Sequence, residues 1–169
     1  MALTFKEALK NRRTYYTITN ESPVSDEQIK EILEHALLHV PSAFNSQTTR
    51  VVLLLGDQHK KVWEITKETL RKMVPAEHFG ATESKIDGVF AAGYGTVLFY
   101  EDTEVVEGLQ KSFPTYSEKF PGWSQQTAGM HQLAVWTMLE EVGFGASLQH
   151  YNPLIDAEIA ETWGIIPKW

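Results

Sequence analysis

The chain has 169 residues, a formal net charge of −7 and a pI of about 5.3. This length is typical of one domain with a sizeable core, and the acidic balance argues against a nucleic-acid-binding surface. The sequence has no cysteine, which excludes disulfides, thiolate nucleophiles and cysteine-ligated metals. No apolar run approaches the roughly 18 residues of a membrane span, and the first residues lack the apolar core of a signal peptide. We therefore expect a single cytoplasmic domain over 1–169, with no membrane segment.

The N-terminal stretch predicts a short helix that ends in a basic segment. Apolar residues recur at helical spacing over 4–12, and Thr4 is a plausible N-cap. The helix leads into Arg12, Arg13 and Thr14, two guanidinium groups and a hydroxyl that suit a phosphate. The alternative is that these basic residues only complement the negative end of the helix and remain solvated.

A second helix is predicted from Ser25, with Gln28 three residues later completing a capping box. His35 and His39 lie four residues apart on this helix and could present two imidazoles to one metal. A metal site needs further ligands, and no HExxH pattern accompanies the pair. We interpret both histidines as half-exposed or hydrogen-bonded side chains and expect no metal site.

Residues 41–55, PSAFNSQTTRVVLLL, join a polar loop to an apolar run. The run at 51–55 predicts a strand buried on both faces. Asn45 and Gln47 in the loop each carry a donor and an acceptor, so a rigid strand would deliver them to a polar ligand. The alternative is ordinary turn chemistry between a helix and a strand.

The middle of the chain predicts a helix that Asp57 caps and that runs to about residue 74, followed by a loop at 77–80. A second apolar run at 94–100 predicts another buried strand. Lys85 would lie near that sheet, either facing a ligand or as a surface charge. A short helix is expected at 103–111.

The C-terminal third predicts an aromatic loop at 115–126 that fits a lid or a contact with a second chain. Residues 128–142 predict the longest helix, apolar nearly all round, which suits a dimer interface. A third strand is predicted at 146–152, and ligand sites in open α/β sheets lie beyond strand ends. A final helix is expected at 155–163.

The absence of several catalytic motifs limits the reactions that the side chains could carry out themselves. There is no serine elbow, no P-loop and no dinucleotide fingerprint. An arginine pair for a phosphate, amides for a polar ring and five tryptophans remain. This combination suits a phosphate-bearing planar cofactor that carries the chemistry itself, and the residues alone do not name it.

The order and spacing of these pieces resemble the FMN-dependent nitroreductase family. The segments that carry the likeness are RRT after the first helix, PSAFNSQ before an apolar strand, GTVLFYED, GWSQQTAGMHQLAVW and VGFGASLQHYNP. They look like the fatty-acid-repression-mutant-like branch, the copper-induced, hydroperoxide-responsive nitroreductases. The likeness covers nearly the whole chain.

This resemblance implies an α+β, nitroreductase-like fold in which helices flank a central mixed β-sheet. It also implies an intertwined homodimer with two FMN molecules at the subunit interface. The implied activity is oxidoreduction in a stress response: hydride passes from NAD(P)H to flavin N5, and nitroaromatic or quinone-like acceptors are then reduced by a ping-pong mechanism. No side chain is expected to be catalytic, because flavin N5 carries the chemistry.

The resemblance also assigns residues to the cofactor. The FMN phosphate falls on Arg12, Arg13 and Thr14. A loop lent by the partner chain contacts the ribityl chain and ring edges, which falls on Pro41, Ser42, Ala43, Asn45 and Gln47. Lys85 matches a lysine near flavin N1/O2, and Gln126, or its neighbour Gln125, approaches the ring from the partner. The stretch under the isoalloxazine falls on Leu148, Gln149 and His150.

Relatives in this branch continue beyond a segment like WGIIPKW into a tail that wraps the partner and adds a basic residue to the phosphate. The family tail is thus expected to be missing, with weaker flavin and dimer affinity than in longer relatives. Two rival interpretations stay open. One is a non-catalytic flavin-binding or flavin-storing protein in stress or lipid-related regulation, and the other is an ordinary α/β module for another phosphate ester.

Overall fold

Seven α-helices surround a two-stranded sheet in the computed structural model, which describes residues 3–169. In chain order the elements are α1 (Phe5–Asn11), α2 (Asp26–His39), β1 (Thr49–Leu55), α3 (Gly56–Arg71), α4 (Ala76–Lys85), β2 (Gly95–Glu101), α5 (Thr103–Ser112), α6 (Phe120–Glu141) and α7 (Asp156–Trp163). A π-helical turn at Ile86–Phe90 follows α4, and a 3-10 helix at Pro114–Lys119 precedes α6. The predicted α+β class is confirmed. None of the helices within 3–169 combines the length and apolarity needed to cross a membrane.

The two strands pair in antiparallel register from Thr49 opposite Glu101 to Leu55 opposite Gly95. Alternate β1 side chains face two different cores, as the predicted two-faced strand requires. Val52 and Leu54 pack with residues of α3, α7 and the π-helical turn. Val51 and Leu53 pack on the opposite face against residues of α2 and α6. Most of β1 is only half-buried, because both strands of a two-stranded sheet are edges.

Two helices begin at their predicted caps. Thr4 accepts from the backbone of Glu7 and Glu7 reaches back to Thr4, which gives α1 a complete capping box. Ser25 and Gln28 do the same for α2. The predicted cap at Asp57 is wrong, because Gly56 adopts a positive φ of 55° and already belongs to α3.

The predicted third strand at 146–152 is wrong. Within 3–169 this stretch forms one isolated parallel bridge, between Thr14 and Ala146, and the Tyr15 N–H donates to the Ala146 carbonyl at 3.1 Å. A strand needs a neighbour over several residues, and its partner segment is too short to supply one. The described sheet is therefore an antiparallel pair plus this bridge, which is smaller than the central mixed sheet that the resemblance implies.

Two predicted loops are helical. Residues 77–80 lie inside α4, and from Phe120 onward the expected aromatic loop is the first part of α6. Pro121 is compatible with a helix start, because the first helical N–H needs no intrahelical partner. Buried Phe120 and half-buried Trp123 then hold this turn against neighbouring aromatic rings. Tertiary packing has overridden a loop-like composition here.

A buried hydrogen-bond chain joins α3 to β2. The Trp63 indole N–H donates to Thr96 Oγ1 at 3.0 Å, and Thr96 contacts His59 Nδ1 at 2.8 Å. His59 Nε2 lies 3.2 Å from the Ala91 carbonyl, which can only accept, so Nε2 carries the proton. Burial lowers the pKa of His59 below its ordinary value of 6.5, and the Ala91 hydrogen bond opposes this effect.

This lowered pKa predicts acid sensitivity of the fold. Below 6.5 the unfolded chain takes up a proton on His59 more readily than the folded chain does, so stability falls as the pH falls. We expect a wild-type free energy of unfolding that drops between about pH 7 and about pH 5, and a smaller drop in His59→Gln. Urea denaturation at the two pH values measures both. An equal drop in the two proteins would contradict this role for His59.

Candidate functional site

The predicted basic segment lies directly after α1. The Arg12 guanidinium stacks over the Trp136 ring of α6, with 4.2 Å from its central carbon to the ring centroid. Arg12 Nε and Trp136 Nε1 are both buried without a hydrogen-bond partner in residues 3–169. Each such donor costs about 1–3 kcal/mol when left unsatisfied. The pair therefore fits an acceptor that residues 3–169 do not supply, and a phosphate oxygen is such an acceptor.

The neighbours of Arg12 complete this end of the molecule. Arg13 is exposed and Thr14 is half-buried. A bridge joins Thr14 to Ala146, and the predicted stretch 148–150 begins two residues after Ala146. In that stretch Leu148 is 37% exposed, Gln149 is half-buried and His150 is exposed. The structure thus places Ala146, two residues before this stretch, beside the basic segment.

The amide-rich loop has an unusual backbone. Phe44, Asn45 and Gln47 have φ values of 58°, 50° and 51°, and they are the non-glycine residues with positive φ in the described chain. Such conformations cost of order 1–3 kcal/mol each and cluster at functional sites. All three fall within the loop that the resemblance assigns to a cofactor.

Local hydrogen bonds hold this strained loop. Ser42 accepts from the Asn45 N–H through its carbonyl and from the Gln47 N–H through its hydroxyl, both at 3.0 Å. Arg50 donates to the Gln47 carbonyl at 2.7 Å and is paired with Asp102 at 3.0 Å. The loop is therefore set before any ligand arrives.

An aromatic cluster packs on one side of the loop. The Phe44 ring lies within 5.0–5.7 Å of four other rings, measured between centroids, those of Phe113, Tyr116, Phe120 and Trp123. The Phe44 side chain is still 47% exposed. This cluster ties the loop to the first turn of α6.

A buried polar network lies beneath the same loop. Thr48 and Thr49 each donate to the Glu101 carboxylate at 2.5 Å, and Ser124 of α6 donates to the same carboxylate. Thr49 also contacts His131 Nδ1 at 3.1 Å. The sequence interpretation missed this network, because its members come from three distant segments and none belongs to a recognised motif.

A cavity of about 440 Å³ opens beside the loop and the network. Its walls come from the end of α2, the loop, β1, α6 and the last residue, and the polar side chains among them are His39, Ser42, Asn45, Gln47, Thr49, Arg50, His131 and Trp169. The Trp169 indole nitrogen is a further buried donor without a partner in residues 3–169. The loop amides therefore belong to a preformed polar hollow.

The two halves of the predicted site lie at opposite ends of α6. Arg12 stacks on Trp136, whereas Phe44 stacks on Trp123, with 5.7 Å between ring centroids. These tryptophans are thirteen positions apart on α6, which is roughly 20 Å at 1.5 Å per residue. One chain therefore does not bring the basic segment and the amide-rich loop together.

The remaining predicted residues lie apart from both halves or on the surface. Lys85 ends α4 and is exposed, with its Nζ 5.6 Å from the centroid of the Phe90 ring. Gln125 and Gln126 are exposed, and they lie on α6 instead of in a loop. The His35 and His39 rings are 4.4 Å apart, and residues 3–169 contain no group of three potential metal ligands.

Comparison with known proteins identifies the family. The sequence profile of the nitroreductase family matches residues 9–169. The chain belongs to the nitroreductase family. Among its relatives, the Saccharomyces cerevisiae protein HBN1 is 35% identical over 96% of this chain and 83% of its own length. The S. cerevisiae nitroreductase FRM2 is 36% identical over 93% of this chain and 79% of its own length. The resemblance to the fatty-acid-repression-mutant branch is thus confirmed.

Solved structures agree with this family and fold. The Lactococcus lactis nitroreductase CinD is 42% identical with a TM-score of 0.87, over 98% of this chain and 84% of its own. It has been solved with chloramphenicol, with nicotinic acid and with 4-nitrophenol. A Desulfovibrio desulfuricans protein solved with FMN shares the fold at 20% identity and a TM-score of 0.65, over 99% of this chain and 80% of its own. The nitroreductase fold is therefore shared by close and distant relatives.

Proposed function

We propose that this nitroreductase is an FMN-dependent oxidoreductase that takes hydride from NAD(P)H and reduces nitroaromatic or quinone-like acceptors. The observation that carries the cofactor assignment is the pair of buried donors at Arg12 and Trp136 that have no partner among residues 3–169. Family neighbours solved with FMN support the same cofactor. CinD, solved with two nitroaromatic compounds, supports the acceptor class.

The phosphate of FMN would be held by the basic segment. Arg12 offers a guanidinium already oriented by the Trp136 ring, and Arg13 and Thr14 add a charge and a hydroxyl. The stretch Leu148, Gln149 and His150 would support the ring, because the bridge at Ala146 ties it to this segment. Lys85 would lie near flavin N1/O2, and Gln126, exposed on α6, would approach the ring from the partner.

The complete site requires two copies of the chain. Arg12 and the amide-rich loop contact α6 at points roughly 20 Å apart, so the loop would serve the cofactor of a second copy. The loop residues concerned are Pro41, Ser42, Ala43, Asn45 and Gln47. Exposed apolar side chains on α1 and α6 offer the contact surface: Phe5, Leu9, Met130 and Leu133. This arrangement supports a homodimer with two sites across its interface.

Bound FMN would supply the redox chemistry, namely hydride transfer from NAD(P)H at N5 and reduction of the acceptor in a ping-pong sequence. The chain's own part is positional: it binds the phosphate, orients the ring and keeps one face open to each substrate in turn. Backbone and amide donors of a prearranged loop cost no reorganisation when charge develops near them. No side chain is assigned an obligatory acid–base role, and we place the reaction in the cytoplasm.

The decisive test is the response of the purified protein to a reduced nicotinamide. Anaerobic addition of NADH or NADPH should bleach the visible flavin band rapidly, and 4-nitrophenol or a quinone should then restore it. Bound flavin that does not bleach would instead favour a flavin-binding regulatory protein. A colourless protein that ignores added FMN would favour a module for another phosphate ester.

The strained loop gives a separable prediction at Gln47. Gln47→Gly and Gln47→Ala both remove the amide, so both should weaken FMN binding by about 2- to 10-fold, the value of one hydrogen bond. Only Gly relieves the positive φ of 51°. We therefore expect the Gln47→Gly protein to be more stable than the Gln47→Ala protein, with a free energy of unfolding higher by up to about 1 kcal/mol.

Flavin fluorescence titration and urea denaturation measure the two effects of the Gln47 variants independently. Identical stability of the two variants would contradict the strain assigned to this position. Unchanged FMN affinity in both would remove Gln47 from the site.

A further inference from the structure

His131 is buried on α6 and also lines the cavity beside the amide-rich loop. Its side chain is only 3% exposed, yet it shares the cavity wall with Ser42, Asn45 and Gln47. A histidine in this position is either a packed core residue or a group presented to a ligand. The hydrogen bonds around its ring distinguish these roles.

The proton on the His131 ring can be assigned from its neighbours. Nδ1 lies 3.0 Å from the Thr127 carbonyl and 3.1 Å from Thr49 Oγ1. A carbonyl oxygen only accepts, so Nδ1 must carry a proton and donate it. Thr49 uses its own hydroxyl proton to donate to Glu101 at 2.5 Å, which leaves its oxygen free to accept from Nδ1.

The hydrogen bonds therefore run in one direction, from His131 through Thr49 to the Glu101 carboxylate. Together with the Thr127 carbonyl, this chain fixes the ring orientation and the tautomer, as a carboxylate does behind a ligand histidine. In the neutral ring, Nε2 is then an acceptor. No residue within 3–169 donates a hydrogen bond to it.

The other polar groups of the cavity indicate what Nε2 accepts from. Arg50 is the one arginine or lysine in the wall, and it is paired with Asp102 at 3.0 Å and bonded to the Gln47 carbonyl. Ser42, Asn45 and Gln47 are neutral. A lone-pair acceptor among neutral amides suits a hydroxyl donor and disfavours a phosphate.

We propose, resting on the function proposed above, that His131 Nε2 accepts a hydrogen bond from a ribityl hydroxyl of the flavin bound by a second copy of the chain. His131 is then a cofactor-binding residue, and Thr49 and Glu101 are its positioning residues. The ligand chemistry recognised here is the polyhydroxylated side chain, distinct from the phosphate recognised at Arg12.

Binding of FMN, riboflavin and lumiflavin distinguishes a contact with the ribityl chain from contacts with the phosphate or the ring. His131→Asn keeps an amide nitrogen near the Nδ1 position and removes Nε2. Fluorescence titration should show FMN and riboflavin each binding about 2- to 10-fold more weakly to this variant, the value of one hydrogen bond. Lumiflavin, which has a methyl group in place of the ribityl chain, should bind wild type and variant equally.

Two controls keep a folding defect from imitating this result. Thr49→Val should weaken riboflavin binding, whereas Thr49→Ser, which keeps the hydroxyl, should bind as wild type does. Side-chain ¹⁵N NMR of the wild-type protein needs no variant at all. Riboflavin should shift the Nε2 resonance of His131 and leave that of His59, whose two nitrogens are both engaged within the chain, unchanged.

The outcomes are distinct. If wild type binds flavin and His131→Asn weakens lumiflavin as much as riboflavin, or weakens neither, the ribityl assignment is overturned and the proposed function stands. The ribityl assignment is also overturned if the His131 Nε2 resonance does not shift when riboflavin binds. If wild type binds no flavin of any kind, the proposed function and this inference both fail.

Discussion

Replacing Arg12 with alanine should weaken FMN binding by about 10- to 150-fold, because a charge-assisted hydrogen bond contributes roughly 1.5–3 kcal/mol. The guanidinium is held over Trp136 at 4.2 Å, and its Nε has no partner within residues 3–169. Its removal also takes away one buried unsatisfied donor, so the apoprotein should unfold at nearly the wild-type urea concentration. Dialysis followed by flavin fluorescence titration measures the loss of affinity.

The chain supplies a matched control for this prediction. Arg71 stacks over the Phe79 ring at the same distance of 4.2 Å, but it is paired with Glu68 and Glu83 on the surface. Arg71→Ala should bind FMN as wild type does. Riboflavin gives a second control, because it lacks the phosphate and should bind Arg12→Ala and wild type alike. Full retention of flavin by Arg12→Ala after dialysis would show that the phosphate lies elsewhere.

Leu133→Glu should convert the proposed dimer to a monomer and abolish stable FMN binding. Leu133 is 47% exposed on α6, next to Met130 at 42%, so the isolated chain tolerates a charge there. In an interface the unpaired carboxylate would cost several kcal/mol, which raises the dimer dissociation constant by roughly 100-fold or more. Sedimentation velocity at several concentrations measures the assembly, and circular dichroism verifies that the monomer is folded.

Met73→Glu is the control for the α6 variant, since Met73 is an exposed apolar residue at 59% beyond the end of α3. It should remain a dimer and keep its flavin. A Leu133→Glu protein that stays dimeric would place the interface elsewhere. One that becomes monomeric but still binds FMN tightly would show that a single chain holds the complete site.

The parts of the fold that are coded locally could be predicted. Capping boxes at Thr4 and Ser25 and the apolar run at 51–55 need only a few consecutive residues, and the structure has all three where they were expected. The strand predicted at 146–152 was wrong because pairing depends on a distant neighbour. The loop predicted at 115–126 was wrong because Phe120 and Trp123 are held by rings that are remote in sequence.

The candidate site also has parts that could be predicted from sequence and parts that could not. Its basic and amide-rich segments are short and could be located by composition and by resemblance. Trp136, in contrast, was visible only as one apolar residue of a long helix, and its contact with Arg12 depends on how α1 crosses α6. Glu101, Thr49 and His131 come from β2, β1 and α6, so no local pattern could have connected them.

Because Trp123 and Trp136 are far apart on α6, two differently inactivated chains should complement each other in a mixed dimer. If each site borrows its loop from the other subunit, a chain disabled at Arg12 and a chain disabled in the loop can rescue each other. In a mixed dimer both defects fall in one site, and the other site is intact. Two inactive proteins, unfolded together and refolded, should therefore regain activity that neither recovers alone.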